Sequence, residues 1–166
     1  MKTAISAVLM AVLSTALQAQ VLDGDERFPF LNEIRWDMNR EALLRVCAAK
    51  KVNVSRNDTM IAFNVKALDV EARAFVRFKE KADKPWGIEV KFNELTENLV
   101  DTLVNHFTLT TKESPLRASK EKNLILVTMR MEFAVWKTKS EHIRLVVGKQ
   151  GKSIFDINLS IQPVKL

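Results

Sequence analysis

The chain has one cysteine in 166 residues, Cys47. No intrachain disulfide can form, so the fold rests on packing alone. There are two histidines, His106 and His142, and neither falls at a metal-ligand spacing with the other or with Cys47. No Gly-x-Ser-x-Gly nucleophile turn occurs. The carboxylates are scattered. Asp37 and Glu41 share a helix start, where capping accounts for them without catalysis. One stretch, "GKQGKS" at 148–153, looks like the end of a phosphate-cradling loop. A full loop needs a glycine at position 146, which is Val, and it must open a helix. The residues after Ser153, "IFDINLSI", alternate at period two instead. Residues 149–152 therefore read as a turn between strands, with Gly151 supplying the positive φ. These absences predict a non-enzymatic protein with no catalytic residue, no metal and no cofactor.

Past the first residues there is also no apolar run of the ~20 residues that a spanning helix needs. The first residues are a different matter. Lys2 precedes an apolar run from Ala4 to Leu13, and small residues including Ala16 and Ala19 follow. This layout predicts a secretory signal peptide over 1–19, cleaved near Ala19, and a mature chain without a transmembrane segment. Its removal takes Lys2 and lowers the formal charge from +6 to +5. The short leader and the missing disulfides place the protein in a bacterial periplasm or outside the cell.

What is present is periodicity. Residues 20–33 form a mixed lead-in with Pro29 between Phe28 and Phe30. In "IRWDMNREALLRVCAAKK", Asn39 is a candidate N-cap, and Leu43, Val46 and Cys47 fall on one helical stripe. Cys47 reads as a buried, inert thiol on that stripe. The period then becomes two. Ile61, Phe63 and Val65 alternate with polar or small residues, as do Ala72, Ala74, Val76 and Phe78, and then Trp86, Ile88, Val90 and Phe92. A second helix follows in "NELTENLVDTLVNHF", with Leu95, Leu99, Leu103 and Phe107 spaced by four and His106 beside them as a structural histidine. "TTKESPLRASKEKN" reads as a charged loop. Three more strands carry Ile125, Val127, Met129, Met131, Phe133 and Val135; then Ile143, Leu145 and Val147; then Phe155, Ile157, Leu159 and Ile161, closed by Pro163.

The order helix, three strands, helix, three strands predicts an α+β fold. It has two tandem α-β-β-β units, 34–93 and 94–166, forming one antiparallel sheet with the helices on one face. The alternation leaves the other face open. It assigns to that face Phe75 and Trp136, at corresponding places in the two units, with Arg73, Arg77, Arg130 and Arg144 around them. Met60, Ala62, Asn64, Lys66, Lys79, Glu89, Lys91, Leu124, Leu126, Glu132 and Val146 complete it. Tryptophan and arginine among apolar side chains are the residues enriched at protein-recognition surfaces.

The basic residues are spread over every element and the chain is exported, which argues against nucleic acid and for a protein or another anionic envelope component. The expected function is recognition of such a partner by the open face. The alternative is a periplasmic carrier holding an apolar or amphipathic ligand between helices and sheet.

In "RWDMNREAL", Trp36, Met38 and Glu41 resemble the helix entry seen in small envelope proteins related to the beta-lactamase inhibitor protein-like group. Asp37 stands where glycine is usual there. The resemblance implies tandem helix-plus-sheet units and a binding role. The inhibitor's disulfides have no counterpart in this chain, and beta-lactamase is not carried over as a target.

Overall fold

The structure is a computed structural model and describes residues 22–80, 82–124 and 127–164. The expected leader, 1–19, lies outside the described residues, as do Ile125, Leu126 and the side chain of Leu124. Along the chain come α1 (Arg40–Ala49), β1 (Val54–Asn57), β2 (Met60–Ala67), β3 (Val70–Phe78) and β4 (Pro85–Phe92). Then follow α2 (Glu97–Thr111), β5 (Leu116–Leu124), β6 (Val127–Lys137), β7 (Glu141–Gln150) and β8 (Ser153–Pro163).

Both helices start where the sequence offers a cap. Asn39 Oδ1 accepts from Ala42 N–H at 2.8 Å, and Thr96 Oγ1 accepts from Leu99 N–H at 3.2 Å. Each helix buries one stripe: Leu43 and Cys47 on α1, and Leu99, Leu103, His106 and Phe107 on α2. Leu95 precedes α2 and is exposed, so it is not part of the stripe expected of it. Cys47 lies in the core as expected. Burial, offset in part by a backbone hydrogen bond, pushes its thiol up.

The expected pair of α-β-β-β units does not form. The chain folds into one eight-stranded antiparallel sheet in the order β1-β2-β3-β4-β8-β7-β6-β5, with four strands after each helix. The two unexpected strands are the sheet edges. β1 is exposed throughout, and β5 is the supposed charged loop "LRASKEKNL". Edge strands pair on one side only, and β5 carries lysines rather than an apolar stripe, a device that blunts edge-to-edge association. Neither shows the alternation that marks the inner strands.

The order is palindromic. β4 and β8, each the last strand of its half, pair antiparallel through Ile88↔Ile161 and Val90↔Leu159. In this order β3 corresponds to β7 and β2 to β6. Each half also has one bulge. Between β3 and β4 the register slips beside Trp86, and between β7 and β8 it slips beside Phe155. A bulge throws one side chain out of alternation. Trp86 and Phe155, both expected in the core, are 38% and 39% exposed for this reason.

"GKQGKS" is the β7–β8 hairpin: Gln150 pairs with Ser153, and Gly151 has φ 59°. The phosphate-loop resemblance therefore belongs to a two-residue turn.

One face of the sheet carries the core. Ile61, Val76, Ile88, Ile161, Ile143 and Trp136 form one row across it, and Phe63, Ala74, Val90, Leu159, Leu145 and Ala134 form the next. These residues join Leu43 and Cys47 of α1 and the α2 stripe in a single buried cluster. The lead-in completes it. A single 3-10 turn spans Leu31–Glu33, and Phe28 and Leu31 are fully buried. Leu68 N–H donates to Arg27 C=O, which pins the lead-in to the β2–β3 hairpin. Trp36 Nε1–H donates to the buried Glu141 Oε1 at 2.6 Å, linking the segment before α1 to the first residue of β7.

His106 is held within this lead-in contact. Arg27 donates to Nδ1, and Asp25 Oδ2 lies 2.7 Å from Nε2. Phe28 and Phe107 pack on the ring. Burial lowers the imidazole pKa; the Asp25 charge opposes this and the Arg27 charge adds to it. A histidine whose folded value is depressed stays neutral in the fold while the unfolded chain takes up a proton. Its stabilising effect is full above the unfolded value of about 6.5 and is lost as pH falls below it. The urea midpoint should therefore fall between about pH 7.5 and about pH 5.5, and His106→Gln should flatten that slope. An equal slope in the variant would assign the pH dependence to other groups.

Candidate functional site

The helix-free face of the sheet is the candidate site, but its membership differs from the sequence expectation. Phe75, Arg73, Arg77 and Arg144 stand on it. Phe75 pairs with Ala62 and Glu89, Glu89 with Ser160, and Ser160 with Arg144, all on one row. Ala62 is on this face too, yet it is buried beneath its neighbours.

Trp136 and Arg130 do not stand on it. Trp136 pairs with Ile143 and is fully buried on the core side. Its ring lies 5.7 Å from Phe107, and its Nε1–H donates to Thr108 Oγ1 at 3.3 Å. Arg130 and Glu132 share the parity of Trp136 and also face the helix side. The parity of β6 is thus opposite to the expected one, and Met129, Met131, Phe133 and Val135 face away from the helices. Phe75 and Trp136 are also not on corresponding strands, because the strand order matches β3 to β7.

The reason lies in the hairpin. β7 presents Ile143, Leu145 and Val147 to the core unambiguously. The turn at 138–140, closed by Thr138 N–H to Glu141 C=O at 2.9 Å, sets Trp136 opposite Ile143 and Val135 opposite Arg144. A one-residue shift in that turn would reverse every side chain of β6. Between two apolar stripes on one strand, the stripe carrying the tryptophan goes inside.

The consequence is an apolar band on a face without helices. Met129, Met131, Phe133, Val135 and Val146 are all half-buried there. Phe155 joins them: a Cβ on Gly148 would meet its ring at 2.6 Å, so the bulged phenylalanine lies over that glycine. Gly148 is where it is because any side chain would displace Phe155. Sequence reasoning missed Phe133, Val135 and Phe155 as surface residues. The available signal was β6 itself, which is apolar on both faces over its second half.

Arginines cover the aromatic rings. Arg144 Cζ sits 4.8 Å from the Phe133 ring centre, and Arg73 and Arg77 sit 5.6 and 5.9 Å from that of Phe75. Such stacking is worth ~0.5–1 kcal/mol at exposed sites and leaves the guanidinium edges free to bond.

Two acids on this face, Glu89 and Asp156, are already engaged, while Glu71 is exposed beside Arg73. Arg77 donates through Nε at 3.0 Å and NH2 at 2.6 Å to Glu89 Oε2, and Asn158 Nδ2 donates to Oε1 at 2.7 Å. Burial alone would raise the Glu89 carboxyl. The bonds from Asn158 and Arg77, with the charges of Arg77 and Lys91, outweigh it and hold the group below its ordinary value. Lys91 Nζ lies 3.4 Å from Asp156 Oδ1. Arg73 and Arg144 have no carboxylate partner among the described residues, and Lys120 and Lys122 of β5 stand on the same side. The face is an apolar and aromatic band carrying uncompensated positive charge.

Among the described residues, no three His, Cys, Asp or Glu side chains converge as metal ligands, and no helix is long and apolar enough to cross a membrane. Comparison of the chain with family models, with curated proteins and with solved structures finds no match.

Proposed function

We propose that the chain is an exported, non-enzymatic binding protein whose helix-free sheet face grips a partner protein with an acidic, partly apolar surface. The observation that carries this reading is the band around Phe133, Val135, Val146 and Phe155, flanked by Arg73 and Arg144, which lack carboxylate partners among the described residues. Apolar rings capped by arginine provide the desolvated centre typical of a protein interface, and the unpaired guanidiniums select an acidic counterpart. The resemblance at Trp36, Met38 and Glu41 points to the same kind of role. Recognition of an acidic protein also fits the excess of Lys and Arg over Asp and Glu in the whole chain, 26 to 20.

The test uses tagged protein and an envelope extract. Phe133→Ala should weaken the captured complex by about 2 kcal/mol, roughly thirtyfold, with little change in melting temperature. Arg144→Glu should slow association and reduce its salt sensitivity. The control is Arg45→Glu on the exposed side of α1, which should bind as the wild type does. A partner with an acidic surface that is lost with the first two variants and kept with the third supports the reading. Capture that is equal for all three removes it.

A further inference from the structure

The opposite face of the sheet holds a cleft of ≈ 480 Å³ between α2 and the β5–β7 side. Its floor is Ala134, Leu145 and Val147, and its wall is the half-buried pair Val100 and Val104, one helical turn apart on α2. This size falls in the ~300–1,000 Å³ range of small-molecule sites, and the lining joins an apolar floor to an about equally large polar part.

The polar groups gather at the outer mouth. Glu132 is neutralised there by Arg130, 3.4 Å away, and by Lys149, 3.1 Å away. Arg117, beside Ala134 on the edge strand, has no ion-pair partner among the described residues. Ser119 adds a hydroxyl on the same edge. The cleft therefore offers an apolar trough that ends on an uncompensated guanidinium, a group suited to bidentate bonding of a carboxylate.

We propose that this cleft binds a single-chain, fatty-acid-type amphiphile, with the chain along Val100, Val104 and Val147 and the carboxylate at Arg117. The site opens on the helix side, opposite the partner-binding face, although Phe133 also contributes to its lining.

The probes are dodecanoate, dodecanol and dodecyltrimethylammonium, each titrated calorimetrically below its micelle concentration. Dodecanoate should bind saturably at one site and the ammonium should not, with dodecanol weaker than dodecanoate. Arg117→Glu, at an exposed position, should weaken dodecanoate roughly tenfold or more and leave dodecanol unchanged. Val104→Trp should fill the trough and abolish binding of both. Should that variant fail to fold, the Arg117→Glu contrast between the two probes decides alone. Arg144→Glu, on the other face, should bind dodecanoate like the wild type. Equal binding of all three probes, or dodecanoate affinity untouched by Arg117→Glu, overturns the proposal. So does binding seen only with phosphatidylglycerol vesicles, which would make the surface a membrane contact.

Discussion

Trp136→Ala is expected to destabilise the fold by about 3–5 kcal/mol, the cost of truncating a fully buried aromatic side chain and leaving its cavity. For a domain of this size that is a large part of the total stability. Thr108 would also lose the donor to its hydroxyl. Phe133→Ala, three positions earlier and on the other face, is expected to cost under about 1 kcal/mol, because its ring is only half-buried. Urea melts of the two variants measure the parity of β6 directly. If the costs came out reversed, with Phe133 the expensive position, the strand would have the register that its sequence alternation suggests. The helix-free face would then carry Trp136 and Arg130.

The second large effect lies outside the helices and strands. Phe28→Ala is expected to cost about 3–5 kcal/mol, although Phe28 belongs to a lead-in of turns. Its ring is fully buried, 5.2 Å from His106 and 5.7 Å from Phe107, and Phe107 in turn lies 5.7 Å from Trp136. The aromatic chain Phe28–Phe107–Trp136 ties the lead-in through α2 to the sheet. A double variant of Phe28 and Phe107 should show a coupling energy of about 0.5–3 kcal/mol, since the two are in contact. Simple additivity in thermal or urea denaturation, or a cost near zero for Phe28→Ala, would mean that the lead-in is only loosely laid on α2.

These two expectations mark where the sequence was legible. β2 and β3 read correctly because one face alone is apolar: in β3, Ala72, Ala74, Val76 and Phe78 go in, and Arg73, Phe75 and Arg77 go out. Phe75 could be placed outside because Arg73 and Arg77 flank it at the same parity. The helices were legible from Asn39 and from the Leu99, Leu103, Phe107 spacing. Polar edge strands were not, since β1 and β5 are defined by backbone pairing to β2 and β6 rather than by any buried stripe. The bulges at Trp86 and Phe155 were not, because alternation assumes an unbroken register. β6 was misread because both of its faces are apolar near the C-terminal end, and a local pattern cannot choose between them. That ambiguity has a functional meaning if the open face binds a partner. A strand needs one apolar face to build a core, and the second apolar face, with Phe133 and Val135, is available for recognition.

Oxidative footprinting of the protein alone and in complex with its captured acidic partner tests this role of the open face most directly. Met129 and Met131 belong to the band on the helix-free side, and Leu109 on α2 is 75% exposed. Complex formation should slow oxidation at Met129, Met131 and Phe133 and leave Leu109 unchanged. Protection of Leu109 with undiminished oxidation of the two methionines would place the partner on the helices and contradict recognition by the open face.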